Sequence, residues 1–298
     1  MFVIVGAGGK VGHSTSSVLR EAGVPVRAIL RDATKAGPLR ALGCEIALAD
    51  LQDPGSLADA LAGAQAVQVI CPPAPQAEDA VGDMRRSIES VAEALKQARP
   101  DRVLAISDYG AHVTADVGMP TMFRLFEERL RRLEMPKVFL RSAEHMEGWG
   151  ALVPAVLATG SLPSLHHPLE RAFPTVSARD VGVMAADLLR RTSTGAEEVV
   201  HAEGPRRYSA IDVAAALSTL LGREVAAQAV PRSHWLDVLG GVVSASTAAL
   251  LADLYDAQQR GLVDVEPHRG EVRLGTTTLI DVLRPLISNA TKTDGARR

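Results

Sequence analysis

The chain has 298 residues, 47% of them hydrophobic and 22% charged, which supplies a sizeable core and excludes disorder. Aromatic residues make up only 3%, so that core must be aliphatic. Lysine and arginine number 32 against 35 acids, a net charge of -3 that offers no footprint for a nucleic-acid backbone.

The apolar opening, residues 1–5, runs straight into glycines without the basic segment of a secretory leader, and reads as a first strand. Short apolar runs at 24–30, 45–49, 66–71, 102–106 and 138–140 have the composition of further buried parallel strands. Helical patterns separate them: Gly23 closes the first, and Asp53-Pro54 opens another as N-cap and N1. Strand and helix in alternation require right-handed crossovers, so the expected fold is α/β, a Rossmann-like doubly wound parallel sheet. Segment 126–133 sets Phe126, Leu130 and Leu133 on one helical stripe and assigns its charges to a solvated face. Beyond residue 142 the alternation fades into loops with Pro and His, then helical stretches at 178–191 and 210–221. The expected organisation is a dinucleotide-binding Rossmann domain over 1–141 and a small C-terminal α/β substrate subdomain over 142–287, partly interwoven with the first. A frayed polar tail is expected over 288–298. No apolar run reaches the about 18 to 20 residues of a membrane span. Cys44 and Cys71 lie in apolar runs, with no disulfide framework, so a soluble cytoplasmic protein is expected.

Chemistry concentrates at the strand ends. Directly after the first strand comes Gly6-Ala7-Gly8-Gly9-Lys10-Val11-Gly12, with glycines at the spacing of a dinucleotide-binding turn and a helix behind them. Gly6, Gly8, Gly9, Lys10, Val11 and Gly12 are expected to bring backbone N–H groups and a helix N-terminus to a pyrophosphate. The second strand ends in Leu30-Arg31-Asp32 with Lys35 nearby; a guanidinium there suits a 2′-phosphate, so the expected cofactor is NADP(H), the alternative being Asp32 on a ribose. Asp50 and Leu51 end the third strand, where Asp50 can accept from an adenine amine or cap its own loop. Cys71, Pro72 and Pro73 stiffen the loop under the nucleotide after the fourth strand. Ser107 and Tyr109 close the fifth and face the crevice as site candidates, Ser107 also touching cofactor. His166-His167 lacks any metal-ligand spacing, and no GxSxG occurs, so neither a metal nor hydrolase chemistry is expected.

These residues, with Leu140 to Met146 (LRSAEHM), Phe173 to Val181 (FPTVSARDV) and Glu203 to Ser209 (EGPRRYS), resemble the NmrA-like branch of the atypical short-chain dehydrogenases, which includes quinone and azo-dye reductase-like proteins. The resemblance spans nearly the whole chain. It implies a Rossmann core with a small C-terminal subdomain and a cofactor in the first half. The Tyr-x-x-x-Lys pair of standard short-chain reductases is absent: four residues after Tyr109, Tyr208 and Tyr255 stand Val113, Asp212 and Gln259. Four positions before Glu127, where family members often carry His or Lys, stands Phe123. The expected function is therefore NADPH-dependent hydride transfer to a small quinone-like acceptor, with Ser107 and Tyr109 hydrogen-bonding the oxyanion and His145 lining the nicotinamide end or ordering its loop. Turnover is expected to be flat with pH near neutrality unless His145 titrates. The alternative is a catalytically weak NADP(H) sensor acting through a protein partner. A homodimer or such a regulatory partner is compatible with the sequence; nucleic acid and membrane are not expected partners.

Overall fold

A computed structural model of the chain describes residues 1–191 and 195–295. The first half alternates as its periodicity predicts: β1 (Phe2–Val5), α1 (Lys10–Glu21), β2 (Val26–Leu30), α2 (Ala36–Ala41), β3 (Glu45–Leu48), α3 (Pro54–Leu61), β4 (Ala66–Val69), α4 (Ala80–Ala98), β5 (Arg102–Asp108), α5 (Met119–Arg131) and β6 (Lys137–Ser142). There follow β7 (Glu144–His145), α6 (Val153–Thr159), β8 (Ser161–Ser164), β9 (Thr175–Val176), α7 (Ala178–Arg190), β10 (Glu197–Glu203), α8 (Ala210–Leu221), β11 (Ala226–Ala229), α9 (Trp235–Gly240), α10 (Ala245–Gln259), β12 (Glu271–Leu274) and α11 (Leu279–Gly295).

Among the described residues the main sheet has eight parallel strands in the order β12-β10-β6-β5-β4-β1-β2-β3. The order reverses between β1 and β4, which opens a crevice at their carboxyl ends. The central strands are buried on both faces, and the two-residue strand period decides which side chain serves which face. Phe2, Ile4, Leu104, Ile106 and Leu140 pack under α1, α2 and α7. Val3, Val5, Val103, Ala105 and Phe139 pack under α3, α4 and α5. A separate core joins Trp149, Val153, Leu162, Phe173, Val213 and Leu283 from the C-terminal half.

Helix ends follow local chemistry. Asp53 accepts from the N–H groups of Gly55 and Ser56 ahead of Pro54, and Gly23 takes φ 76° just past α1. Ser209 and Asp212 form a reciprocal capping box on α8. Strands β10 and β12 of the second half join the main sheet, while that half also carries its own core. Two expectations change. The helix α11 takes in residues 288–295 of the expected tail, while 296–298 lie outside the described residues. On α5, Phe126 and Leu130 are buried as expected, yet Glu127 on the supposed solvated face is buried too.

Candidate active site

The glycine turn is built by close approach. Gly6 has φ 76°, its carbonyl accepts from the Gly9 N–H at 3.0 Å, and a Cβ on Gly12 would fall 2.5 Å from that same carbonyl. Only hydrogen fits there, so Gly12 lets α1 begin against the turn, with its first N–H groups directed at the crevice. Gly8, Gly9 and Lys10 are exposed, whereas the Val11 side chain is in the core, which leaves its backbone alone for a ligand. Beyond the second strand, Asp32 is committed to its own turn, accepting from Thr34 N–H at 2.9 Å. Arg31 and Lys35 are exposed, and neither side chain makes a hydrogen bond or ion pair among the described residues. A Cβ on Gly8 would lie 3.3 Å from the Lys35 stem, so this lysine stands beside the turn. A glycine turn leading into a helix N-terminus, with two exposed cations at its flank, fits the phosphates of a dinucleotide.

Two cofactor candidates also have structural duties. The Cys71 side chain is sealed in the core under α3 and α4, and burial pushes its thiol far up, so it offers a ligand only backbone. Asp50 spends one carboxylate oxygen on Gln52 N–H at 2.9 Å, the loop-capping alternative, and Leu51 is half-buried beside it. Pro72 opens on the crevice and Pro73 is half-buried.

At the carboxyl ends of β4, β5 and β6 lies a cavity of about 460 Å³. Ile70 joins it to the glycine turn, since a Cβ on Gly6 would be 2.9 Å from Ile70 Cγ2. Its walls are chiefly apolar, with Met119, Phe123, Trp149, Leu239, Val243 and Leu254 among them. Phe123, four positions before Glu127, is thus part of the wall.

The expected roles of Ser107 and Tyr109 need correction. The Ser107 hydroxyl donates to Glu127 Oε1 at 2.6 Å, and that carboxylate is also forked by Arg141 at 2.8 and 2.7 Å and bound by Arg131 at 2.8 Å. Burial opposes the charge on Glu127, but the bonds from Arg141 and Ser107 outweigh it and hold its pKa below the usual value. The Tyr109 hydroxyl donates to Glu203 Oε1 at 3.2 Å, and burial followed by the Glu203 charge drives its pKa up. Both side chains line the cavity, but both hydroxyl protons are already given away within the protein.

His145 does face the cavity. Its Nε2 lies 3.0 Å from Ser142 Oγ, whose own proton goes to Ala143 O, so Nε2–H is the donor. Burial lowers its pKa and Lys10 of the glycine turn adds to this, against Glu147 and Glu144.

Three groups were not singled out from sequence. Asp108 is half-buried on the cavity with no side-chain ion pair, and burial, with a contribution from Glu144, pushes its carboxyl up to about 8. Glu144 meets His166 Nε2 at 3.2 Å and accepts from Gln258 Nε2 at 3.3 Å. Tyr255, from α10, stands edge-on to His166 with ring centroids 5.0 Å apart, and burial raises its pKa well above the usual value. Asp108 carried the one available signal: it lies between two residues already singled out at a strand's carboxyl end. Glu144 and Tyr255 are far apart in the chain, and nothing local pairs them.

A glycine turn at the switch point of a parallel sheet, opening beside an apolar cavity, is the construction of a dinucleotide-binding protein. Residues 6–157 match the NAD(P)H-binding family, and the chain belongs to it. An NAD(P)H azoreductase of Xenophilus azovorans is 28% identical over 258 residues, 86% of either chain. The NADPH-dependent quinone oxidoreductase of Escherichia coli complexed with NADPH has the same fold, with a TM-score of 0.77 at 22% identity over 98% of this chain and 100% of that one. Citrobacter sp. triphenylmethane reductase complexed with NADP(H) gives 0.80 at 20% identity, over 96% and 100%.

Proposed function

We propose that the protein is an NADPH-dependent oxidoreductase that passes a hydride to a small aromatic acceptor, a quinone or an azo compound. The observation that carries this reading is the apolar cavity beside the glycine turn, with the Asp108 carboxyl on its wall. NADPH, when bound, supplies the hydride. Arg31 and Lys35 hold the 2′-phosphate, and the N–H groups at the start of α1 hold the pyrophosphate. The walls exclude water and seat the acceptor ring. Asp108 then delivers a proton to the acceptor oxygen or nitrogen, the task that a lysine-activated tyrosine performs elsewhere. The activities of the azoreductase and quinone oxidoreductase relatives support the acceptor class. Two buried free thiols, Cys44 and Cys71, suit the reducing cytoplasm.

Steady-state oxidation of NADPH and NADH across a panel of quinones and azo compounds tests the reading, and a preference for NADPH with turnover is expected. The sensor reading has one observation in its favour, the internal commitment of the Ser107 and Tyr109 hydroxyls. Tight NADPH binding without turnover on any acceptor would select it.

A further inference from the structure

The geometry points to a charge filter in the acceptor cavity: it takes neutral and cationic planar aromatic molecules and turns away those that carry a sulfonate or carboxylate. This rests on the reductase reading above and names its substrate class.

Among the described residues that line the cavity there is no lysine or arginine, while two carboxyl groups, Asp108 and Glu144, open on it. Its histidines do not supply the missing cation. His166 sits 3.2 Å from Glu144, so any charge on that ring already has its counter-ion. Burial disfavours a charge on His145. Arg141, at the end of β6, is 1% exposed and spends its guanidinium on Glu127 and Glu266.

An anionic acceptor entering this space gives up its hydration, finds no free partner and meets the Glu144 carboxylate. A neutral ring loses only weak hydration against the apolar walls. A cationic ring gains twice, from the Glu144 carboxylate and from the aromatic rings of Phe123, Trp149 and Tyr255, all of which line the cavity.

NADPH oxidation with 1,4-naphthoquinone and with its 2-sulfonate provides the test. The sulfonate withdraws electrons and makes its ring easier to reduce, so a slower reaction with it must arise in binding. We expect kcat/KM for the sulfonate to be lower by about 100-fold or more, and a quaternary-ammonium analogue to stay within about 10-fold of the parent. Glu144→Gln removes the like charge and Gln258→Lys adds a cation to the same wall; each should narrow the gap by about 10-fold. Equal kcat/KM for the two quinones, or a gap that neither substitution narrows, overturns the filter. If the parent quinone is not reduced at all, the reductase reading falls. Quenching of Trp149 fluorescence by the two quinones then still reads the filter: binding of the parent alone upholds it, and equal binding overturns it.

Discussion

Replacing Asp108 by Asn removes the proton proposed to reach the acceptor while keeping the side chain's shape. Burial and the Glu144 charge push this carboxyl from 3.8 to about 8. A single titration at that value leaves about 90% protonated at pH 7 and about 10% at pH 9. The proton is present on the acid side and lost as pH rises, so kcat with a quinone should be level below about pH 7 and fall about 10-fold per pH unit above 8. This replaces the flat response expected from sequence. Asp108→Asn should lower kcat by about 10²- to 10⁴-fold, the usual worth of a general acid, and should abolish the alkaline fall. Stopped-flow measurement of NADPH oxidation at saturating quinone, from about pH 6 to 10, reads both effects, with pre-steady-state transients to separate chemistry from product release. A level profile across that range would refute the assignment. So would an Asn variant with wild-type kcat and unchanged NADPH affinity.

Arg31→Glu should weaken NADPH far more than NADH in calorimetric titration, because it sets a like charge against the 2′-phosphate; equal losses would mean that Arg31 is not the selector. Gly9→Val and Gly12→Ala should part company. A Cβ on Gly9 has room at 3.4 Å from Gly6 O, so the valine variant should fold yet lose dinucleotide affinity, whereas on Gly12 even one carbon meets that oxygen at 2.5 Å and should lower the melting temperature as well. Ser107→Ala and Tyr109→Phe should each cut kcat by about 10-fold or less, since their hydroxyl protons already serve Glu127 and Glu203; a collapse beyond about 1,000-fold would restore them as acids. His201 gives a stability test. Burial and the Arg141 charge lower its pKa to about 4, and its Nε2 accepts from Glu266 N–H at 3.2 Å, a bond that protonation destroys. The unfolded chain binds the proton between about pH 6.5 and 4, so stability should fall with pH through that window, and His201→Gln should flatten the dependence in urea melts.

The first six strands were legible because parallel strands buried on both faces read as apolar runs, unbroken in Phe2–Val5 and interrupted only by Gln68 in Ala66–Val69. Strand β10 was not, because Glu197, Glu198, His201 and Glu203 interrupt it. Those polar side chains are accommodated by tertiary partners: Glu197 by Arg131 and Arg269, Glu203 by Arg207, His201 by the Glu266 backbone. The short edge strand β12 has two exposed apolar residues, Val272 and Leu274, and no burial pattern to betray it. The glycine turn was legible because each glycine answers a local steric demand. The acceptor cavity was not, since α9, α10 and the segment after β8 close it from far along the chain.

At the end of β5 the strand period by itself sorts the chemistry. Ser107 continues the row of Val103 and Ala105, which pack on the α4 and α5 side of the sheet, so its hydroxyl is bound to meet that side, where Glu127 awaits it. Asp108 continues the row of Leu104 and Ile106, and Ile106 is itself part of the cavity wall. Choosing by side-chain type thus favours the hydroxyl facing the helix, while choosing by parity favours the carboxyl facing the crevice. What parity cannot supply is the commitment of Tyr109, which depends on Glu203 in a strand 94 positions away. Once Ser107 and Tyr109 are spoken for, Asp108 is left as the proposed proton donor at this strand end, and the apolar wall that raises its pKa is the same wall proposed to seat the acceptor.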